Sequence, residues 1–335
     1  MSLVVGQWVF HLVRGEHRLS LSLAEHLKRN SEFRNDETSR LLACYLSGHS
    51  RFQLGEFMAA RGLFKRCMGL ADPAHRAIGG LSFDRYALML GHLAMTLTYL
   101  GYLDQGRSRM DEALSEARRL KHVHTLGHVL TMANWFGEVT RSPEVHIDEV
   151  LALSTEHGFA YYLSLARGRR ACSLISLGQT QEGFALLKLA VAEFRATGAV
   201  STTPQLFTWL AEAHAGLGQT DEALKCLGEA ARVIDATEER YAEAEYVHRI
   251  PGDLLNAKGD RFAAERNYRQ AIAVAEGQSA KLLQLRASTS LARLWRDQGR
   301  RVEARDLLDP VYNWFTEGFA AADLRDARAL LDELA

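Results

Sequence analysis

A glycine that recurs about every 40 residues is the feature of this sequence that most constrains its fold. A small residue stands seven positions before most copies of this glycine, and another stands five positions after each of them. The gap of 77 residues between Gly101 and Gly178 fits two units, with the missing turn at Arg141-Ser142-Pro143. The pattern predicts about eight helical units. The recurring glycines stand at positions 15, 55, 101, 178, 218, 259 and 299.

Pairs of antiparallel helices explain the fixed positions of the glycine and of the small residues around it. Small side chains let two antiparallel helices approach closely, and the glycine ends the first helix in a left-handed conformation that other residues adopt at a cost. The sequence has only five prolines, which suits a helical chain. Two of them, Pro251 and Pro310, fall inside predicted helices, where each removes a backbone donor and should kink its helix.

The predicted fold class is all-α. We expect a tetratricopeptide-like right-handed superhelix of about eight antiparallel helix pairs, with helices longer than those of the 34-residue repeat. A HEAT-like array fits the period but not the position of the glycine. One domain, 1–335, would contain the units 1–36, 37–80, 81–122, 123–158, 159–198, 199–238, 239–278 and 279–319, and an amphipathic capping helix at 320–335.

Composition and missing motifs exclude several classes of function. A net charge of −1 argues against nucleic-acid binding, and no apolar run approaches the length of a membrane span. No phosphate-binding glycine loop, GxSxG or HExxH motif occurs. Four widely spaced cysteines are typical of reduced thiols in a cytoplasmic protein. We therefore expect no enzyme activity, no cofactor and no structural metal.

The first helices of tetratricopeptide units line a concave groove, so residues at fixed distances before each turn are candidates for partner binding. The N-terminal half of this predicted groove is aromatic and histidine-bearing, and the C-terminal half is charged. Aromatic anchors and an arginine-rich end favour a protein or peptide partner; the alternative is that these side chains only pack between repeats. The candidates are Tyr45, His49, His92, Met95, Tyr99, Trp135, Arg169, Trp209, Glu212, Arg249, Asp253 and Arg293.

Histidines form two further groups. His124 and His128 are four residues apart and could share a metal ion on one helix face; the alternative is a basic, solvated junction between the third and fourth units. His49 and His92 are interpreted as equivalent positions of neighbouring units. They would form a histidine stripe on the inner surface or be two half-buried packing residues.

The last fifty residues resemble a bacterial family of signalling proteins. Segments 280–281, 285–287, 290–295, 298–299, 310–312 and 314–319 carry the match, together with Asp323-Leu324 and Leu330-Leu331. In that family a class III adenylate/guanylate cyclase domain precedes a STAND-type AAA ATPase module and a long tetratricopeptide region, and only that last region has a counterpart here. The resemblance implies a regulatory arm that relays partner binding to a cyclase–ATPase in cis or in trans. A small-molecule effector is the alternative ligand.

The first helix is apolar on several faces. Leu3, Val5, Trp8, Val9 and Phe10 crowd it before the first charged side chain. Because each repeat buries one face on its neighbour, this pattern predicts further repeats before it or self-association through the first helix pair. The alternative is that the helix packs on its own unit and leaves a modest exposed patch.

Overall fold

A computed structural model describes residues 2–34, 36–70, 83–142 and 146–335. Regular structure within these ranges is helical, with no strand, which confirms the all-α prediction. Pro143 of the expected degenerate turn lies outside them. No described helix combines the length and the apolar character that a membrane crossing requires.

Helices follow one another in antiparallel pairs, with a final helix after the last pair. The pairs are α1 (Ser2–Val13) and α2 (His17–Arg34), α3 (Glu37–Gln53) and α4 (Phe57–Leu70), α5 (Arg85–Tyr99) and α6 (Leu103–Leu120), α7 (Val123–Val139) and α8 (Ile147–His157), α9 (Ala160–Ser176) and α10 (Thr180–Ala196), and α11 (Thr203–Gly216) and α12 (Thr220–Thr237). The chain continues with a π-helical segment (Ala244–Arg249) that runs into α13 (Ile250–Ala257), then α14 (Arg261–Gly277), α15 (Lys281–Asp297), α16 (Arg301–Tyr312) and α17 (Ala322–Leu334). We number the helix pairs as units one to eight; the predicted residue bounds of the units stay a prediction.

The turn inside each pair has the left-handed residue that the sequence predicts. Gly55 has a φ of 75° and Gly101 a φ of 92°. In the degenerate fourth unit Arg141 takes the same role with a φ of 52°. The turn therefore forms without glycine, although the left-handed conformation is sterically unfavourable for a residue with a Cβ.

Close approach of the two helices in a pair explains the small residues. A Cβ added at Gly48 would lie 2.6 Å from the ring of Phe64, and one added at Gly252 would lie 2.7 Å from the ring of Tyr268. Both glycines stand seven residues before a turn, and both aromatic residues stand nine after it. Large and small side chains therefore interlock at the same place in different units.

Pro251 changes the winding of its helix. The residues directly before it form the π-helical segment, which continues without a break into α13. Proline has no N–H to donate and its ring crowds the carbonyl one turn earlier, so the wider π turn accommodates it. Pro310 lies inside α16, which ends two residues later at Tyr312.

Units five apart along the chain touch each other. The backbone carbonyl of Val13 accepts hydrogen bonds from the N–H groups of Val200 (2.8 Å) and Ser201 (3.0 Å). Arg18 donates to the carboxylate of Glu238 at 2.7 Å. The first unit thus rests on the sixth, which means that the array has completed a superhelical turn.

The same contact repeats at the next units. The carbonyl of Gln53 accepts from the N–H of Arg240 at 2.7 Å, and Asp104 accepts from the N–H of Gly318 at 2.9 Å. Each contact joins the turn edge of an early unit to a loop that follows a later helix pair. These hydrogen bonds tie the two superhelical turns together.

The exposure of the residue directly before the turn glycine depends on this contact between superhelical turns. The residue before the turn glycine is leucine in four units. Leu54 and Leu100 are 5% and 2% exposed, whereas Leu177 and Leu217 are 78% and 39% exposed. The former lie beneath the second superhelical turn and the latter do not.

Helix α1 packs against its neighbours more fully than its sequence suggested. Val5 and Trp8 are buried, and the indole N–H of Trp8 donates to the hydroxyl of Ser50 at 3.0 Å. Leu3 and Phe10 are exposed. Val4, Val9 and Leu12 are half-buried, so α1 keeps some apolar surface open, and self-association through the first pair stays a prediction.

We predict that Gly101→Ala destabilises the protein more than Gly178→Ala. Both glycines have a positive φ, of 92° and 85°, so both substitutions pay a left-handed penalty of about 1–2 kcal/mol. Only the new methyl group at position 101 would meet the second superhelical turn, at 2.8 Å from Trp314; a Cβ at 178 has no described atom within 4 Å. Overpacking should add about 1–3 kcal/mol. Urea unfolding measures the difference, and equal losses would contradict the inter-turn contact.

Candidate ligand cavity and charged chamber

The concave side of the superhelix encloses a cavity of about 480 Å³. Its walls come from α1, α3, α5, α7, α9 and α11, the first helices of six consecutive units. Because the sixth unit meets the first, these helices border the space on several sides and leave it partly open to solvent. We call it the aromatic cavity.

Aromatic side chains supply much of its wall. Trp8, Tyr45, Trp135, Trp209 and Tyr241 all line it. The rings of Trp135 and Tyr241 meet edge to face with centroids 5.0 Å apart. Such a surface offers large apolar contact area and little conformational freedom, which suits an apolar or aromatic guest.

Three histidines lie together at one side of this cavity. The ring centroids of His49 and His92 are 3.9 Å apart, and those of His92 and His128 are 6.2 Å apart. Burial lowers the pKa of His92 to about 4 and that of His128 to about 3. Burial and the neighbouring His92 also hold the pKa of His49 well below its usual range. The group is therefore uncharged at neutral pH.

The expectation that His49 and His92 occupy equivalent positions is wrong. They stand six and nine residues before their turn glycines, about one helical turn apart. Their rings still meet because α3 and α5 pack side by side. Both side chains line the cavity.

His124 and His128 share a tyrosine. The hydroxyl group of Tyr162 lies 3.2 Å from Nε2 of His124 and 3.1 Å from Nδ1 of His128. Within the described ranges, no group of three or more His, Cys, Asp or Glu side chains is placed to hold a metal ion. These imidazoles form part of the cavity wall.

Glu138 separates the aromatic cavity from a second space. Its carboxylate accepts hydrogen bonds from Nε1 of Trp209 (2.8 Å) and Nε2 of Gln205 (3.0 Å), and it lies 3.3 Å from the guanidinium of Arg169. It lines both spaces. Glu138 therefore places a compensated negative charge at the boundary.

The second space is a charged chamber of about 400 Å³. Arg286 is its central cation: it donates to both oxygens of Asp323, at 3.0 and 2.8 Å, and lies 3.7 Å from Glu245. Burial alone would raise the pKa of Asp323, but Arg286 outweighs it and holds that pKa below its usual range. Arg286 also donates to the backbone carbonyl of Val139, so it joins the eighth unit to the fourth.

Glu212 behaves differently in the same chamber. Its side chain is exposed and lines the chamber. Burial, followed by repulsion from Glu138, raises its pKa to about 7.

Ten of the twelve candidate residues line one of these two spaces. Met95 is fully buried in the core and Asp253 lies outside both spaces, bonded to Arg249 and to the hydroxyl of Tyr268. Six line the aromatic cavity: Tyr45, His49, His92, Trp135, Arg169 and Trp209. Four line the charged chamber: Tyr99, Glu212, Arg249 and Arg293.

Several lining residues were not among the candidates. His128 stands thirteen residues before Arg141, a position that faces the groove once Arg141 is taken as the turn. The same count places Glu138, three residues before Arg141, on the inner surface, and it does line the cavity. Tyr162 lies at the start of α9, in a part of the helix that the shorter helices of a 34-residue repeat would not contain. Trp8 stands seven residues before Gly15, where other units have a small residue. The repeat pattern therefore did not predict that Trp8 lines the cavity.

Comparison with known proteins identifies the class of fold. No family model matches the sequence, and no curated protein matches it. A Rap protein complexed with Competence and Sporulation Factor is similar in structure at 11% identity, with a TM-score of 0.54 over 99% of this chain and 96% of that chain. Aspartyl phosphate phosphatase F from Bacillus subtilis matches at 10% identity, with a TM-score of 0.52 over 93% of each chain. At this identity the likeness shows the fold alone.

The fold is thus a tetratricopeptide-like helical repeat. A STAND protein with a tetratricopeptide repeat sensor from Pyrococcus horikoshii also aligns, at 14% identity over 95% of this chain and 49% of that chain, with a TM-score of 0.43. That score is too low to bear on the cyclase–ATPase resemblance, which stays a prediction.

We predict that His92→Gln makes the stability of the protein less dependent on pH. The neutral form is favoured in the folded state, since the pKa falls from about 6.5 to about 4. Unfolding therefore takes up a proton below pH 6.5, and stability falls as the pH drops towards 4. His92 should account for about 2 kcal/mol lost between pH 7 and pH 5. Urea unfolding of both proteins at the two pH values measures this, and an identical pH dependence would contradict it.

We predict that Arg286→Met costs about 3 kcal/mol or more, because it leaves Asp323 and Glu245 buried without their cation. The matched control is Arg293→Met in the same chamber. Arg293 is half exposed and its nearest carboxylate, Asp326, is 4.0 Å away, so its loss should cost less than about 1 kcal/mol. Thermal or urea unfolding measures both variants. Similar losses of stability would contradict the stabilising role of Arg286 in the chamber.

Proposed function

We propose that this chain is a regulatory repeat domain that binds a short peptide segment of a partner protein in the aromatic cavity. The observation that carries the proposal is the cavity itself, which six inner helices surround with aromatic and histidine side chains. A continuous, wide groove would suit a long helix, whereas a partly open space of about 480 Å³ suits a short segment.

The size and chemistry of the cavity support a ligand. Pockets for small ligands measure about 300–1,000 Å³ and combine an apolar wall with a few polar groups. Here Glu138, Arg169 and Gln205 form one polar group in the lining, and His49 and Gln53 form another. Aromatic residues in a desolvated centre are the usual anchors of a binding surface.

The choice of a peptide draws on fold and precedent. Tetratricopeptide-like repeats are scaffolds for extended binding surfaces, and the Rap protein of similar fold was solved with Competence and Sporulation Factor. The volume of the cavity favours a small-molecule effector as the second candidate. Both would occupy the same space.

Ligand binding can be transmitted because the cavity spans both superhelical turns. An occupant would touch α1 and α11 together and would favour the closed winding in which Val13 meets Val200 and Ser201. A ligand shifts an equilibrium by its difference in affinity for the two states. From the sequence resemblance, we propose a cyclase–ATPase module as the recipient of this signal, and we assign no catalytic step to this chain.

The test is selection of heptapeptides from a random display library on the whole protein, followed by calorimetry. Trp135→Ala should weaken a selected peptide by about 2 kcal/mol or more, roughly thirtyfold. Trp135 lines the cavity and is only partly buried, so its loss should leave folding intact.

The control is Phe262→Ala. Phe262 is 81% exposed and lies outside the cavity, so this variant should bind as the wild type does. Selected peptides that bind Trp135→Ala normally would refute the cavity as their site. A thermal-shift screen with metabolites tests the second candidate, since only a tight ligand raises the melting temperature appreciably.

A further inference from the structure

Arginines and carboxylates in the middle of the charged chamber pair with one another. Arg286 lies 2.8 Å from Asp323 and 3.7 Å from Glu245. Arg249 donates to Glu245 at 2.8 Å and also pairs with Asp253, which lies beside the chamber. Each of these charges therefore has an opposite charge next to it.

The same pairing continues at the edges of the chamber. Arg141 lies 2.8 Å from Asp326, and Arg293 lies 4.0 Å from the same carboxylate. At the boundary with the aromatic cavity, Arg169 lies 3.3 Å from Glu138. Five arginines in and beside the chamber are therefore matched by five carboxylates.

Glu212 is the sixth carboxylate, and this network leaves it over. It lines the chamber from α11 and is exposed. It makes no ion pair and no hydrogen bond with any part of the chain that the structure describes. The two arginines that act most strongly on its charge, Arg249 and Arg169, each pair with another carboxylate. The chamber therefore carries one negative charge that is unpaired and accessible to a ligand.

The position of Glu212 is next to the aromatic cavity. Trp209, which lines that cavity, stands three residues before it on α11, so the two side chains are neighbours on one face of the helix. Glu138, which lines both spaces, bonds Nε1 of Trp209 and repels the carboxylate of Glu212. A segment with an aromatic anchor in the cavity would thus place its neighbouring side chains beside Glu212.

The complement of a single unpaired carboxylate is a single positive charge. An ammonium or guanidinium group would donate charge-assisted hydrogen bonds to it. Among the described residues, no group of His, Cys, Asp and Glu is placed to hold a metal ion, which favours an organic cation. An anion would instead have to displace a carboxylate from one of the paired arginines.

We propose that the charged chamber binds a basic side chain of the partner segment, lysine or arginine, and that the carboxylate of Glu212 pairs with its charge. This inference rests on the proposed function and deepens it, because it specifies a basic residue beside the aromatic anchor of the bound segment.

Two probes of the same shape test the assignment directly: N-acetyl-arginine methylamide and N-acetyl-citrulline methylamide. Citrulline has an uncharged urea group where arginine has its guanidinium. Calorimetry with the whole protein is done at pH 8, where Glu212 is ionised because its pKa is about 7. The arginine probe should bind about fivefold more tightly than the citrulline probe, or better, because its hydrogen bonds to the carboxylate are charge-assisted.

Glu212→Gln should reduce the ratio of the two affinities to within about twofold, since glutamine has nearly the same shape without the charge. The melting temperature should not fall, because Glu212 has no partner to lose. Glu182→Gln is the matched control. Glu182 is exposed on α10 and lines neither space, so its loss removes the same charge from the protein and should keep the wild-type ratio.

The selected heptapeptides provide a second measurement. Those that bind the wild type should contain lysine or arginine. Exchange of that residue for acetyl-lysine or citrulline should weaken binding to the wild type about fivefold or more and binding to Glu212→Gln less than about twofold.

Equal affinities of the two probes for the wild type would overturn the inference, because water would then serve Glu212 as well as a guanidinium does. A preference for arginine that persists in Glu212→Gln would overturn it too, since the probe would then bind elsewhere, and so would failure of both probes to bind. The proposed function is judged separately by Trp135→Ala. Selected peptides that depend on Trp135 and contain no basic residue would support the cavity and refute the chamber site.

Discussion

Contact between successive superhelical turns is the constraint on which the rest of this structure depends. The last carbonyls of a helix have no partner within it. In this chain the carbonyls of Val13, Gln53 and Val139, each two residues before a turn, accept hydrogen bonds from the second superhelical turn. The inter-turn contact thus uses groups that every helix end must satisfy, and it recurs with the same register as the repeat itself.

Closing the superhelix changes what its inner surface can do. The first helices of six units border one partly open cavity, and aromatic side chains from several of them line it. Glu138 separates this space from the charged chamber, where Arg286 joins α15 to Val139 and to Asp323 on α17. The two spaces therefore differ in their lining, one mainly aromatic and one mainly charged, and α5, α7 and α11 contribute side chains to both.

Much of the fold could be predicted, and less of the site. The glycine register located the turns, including the one at Arg141, because the left-handed residue and the small contacts are local requirements. Met95 and Asp253 were placed on the inner surface by counting back from a turn, yet one is in the core and the other outside both spaces. Helix length, the π-helical turn before Pro251 and packing between neighbours shift the inner face of each helix.

The sequence by itself determined the helical class, the repeat period and the interlocking of large and small residues within each pair. Within a pair, the small residues, the turn and the large residue lie inside one stretch of the chain, and this pattern recurs along the sequence. Only the tertiary structure decided that Leu100 is covered while Leu177 is exposed, that His49 meets His92, and that Arg286 reaches Val139. The physical reason is that a small rotation from one unit to the next accumulates along the array, and its sum, which no single unit encodes, determines which distant units touch.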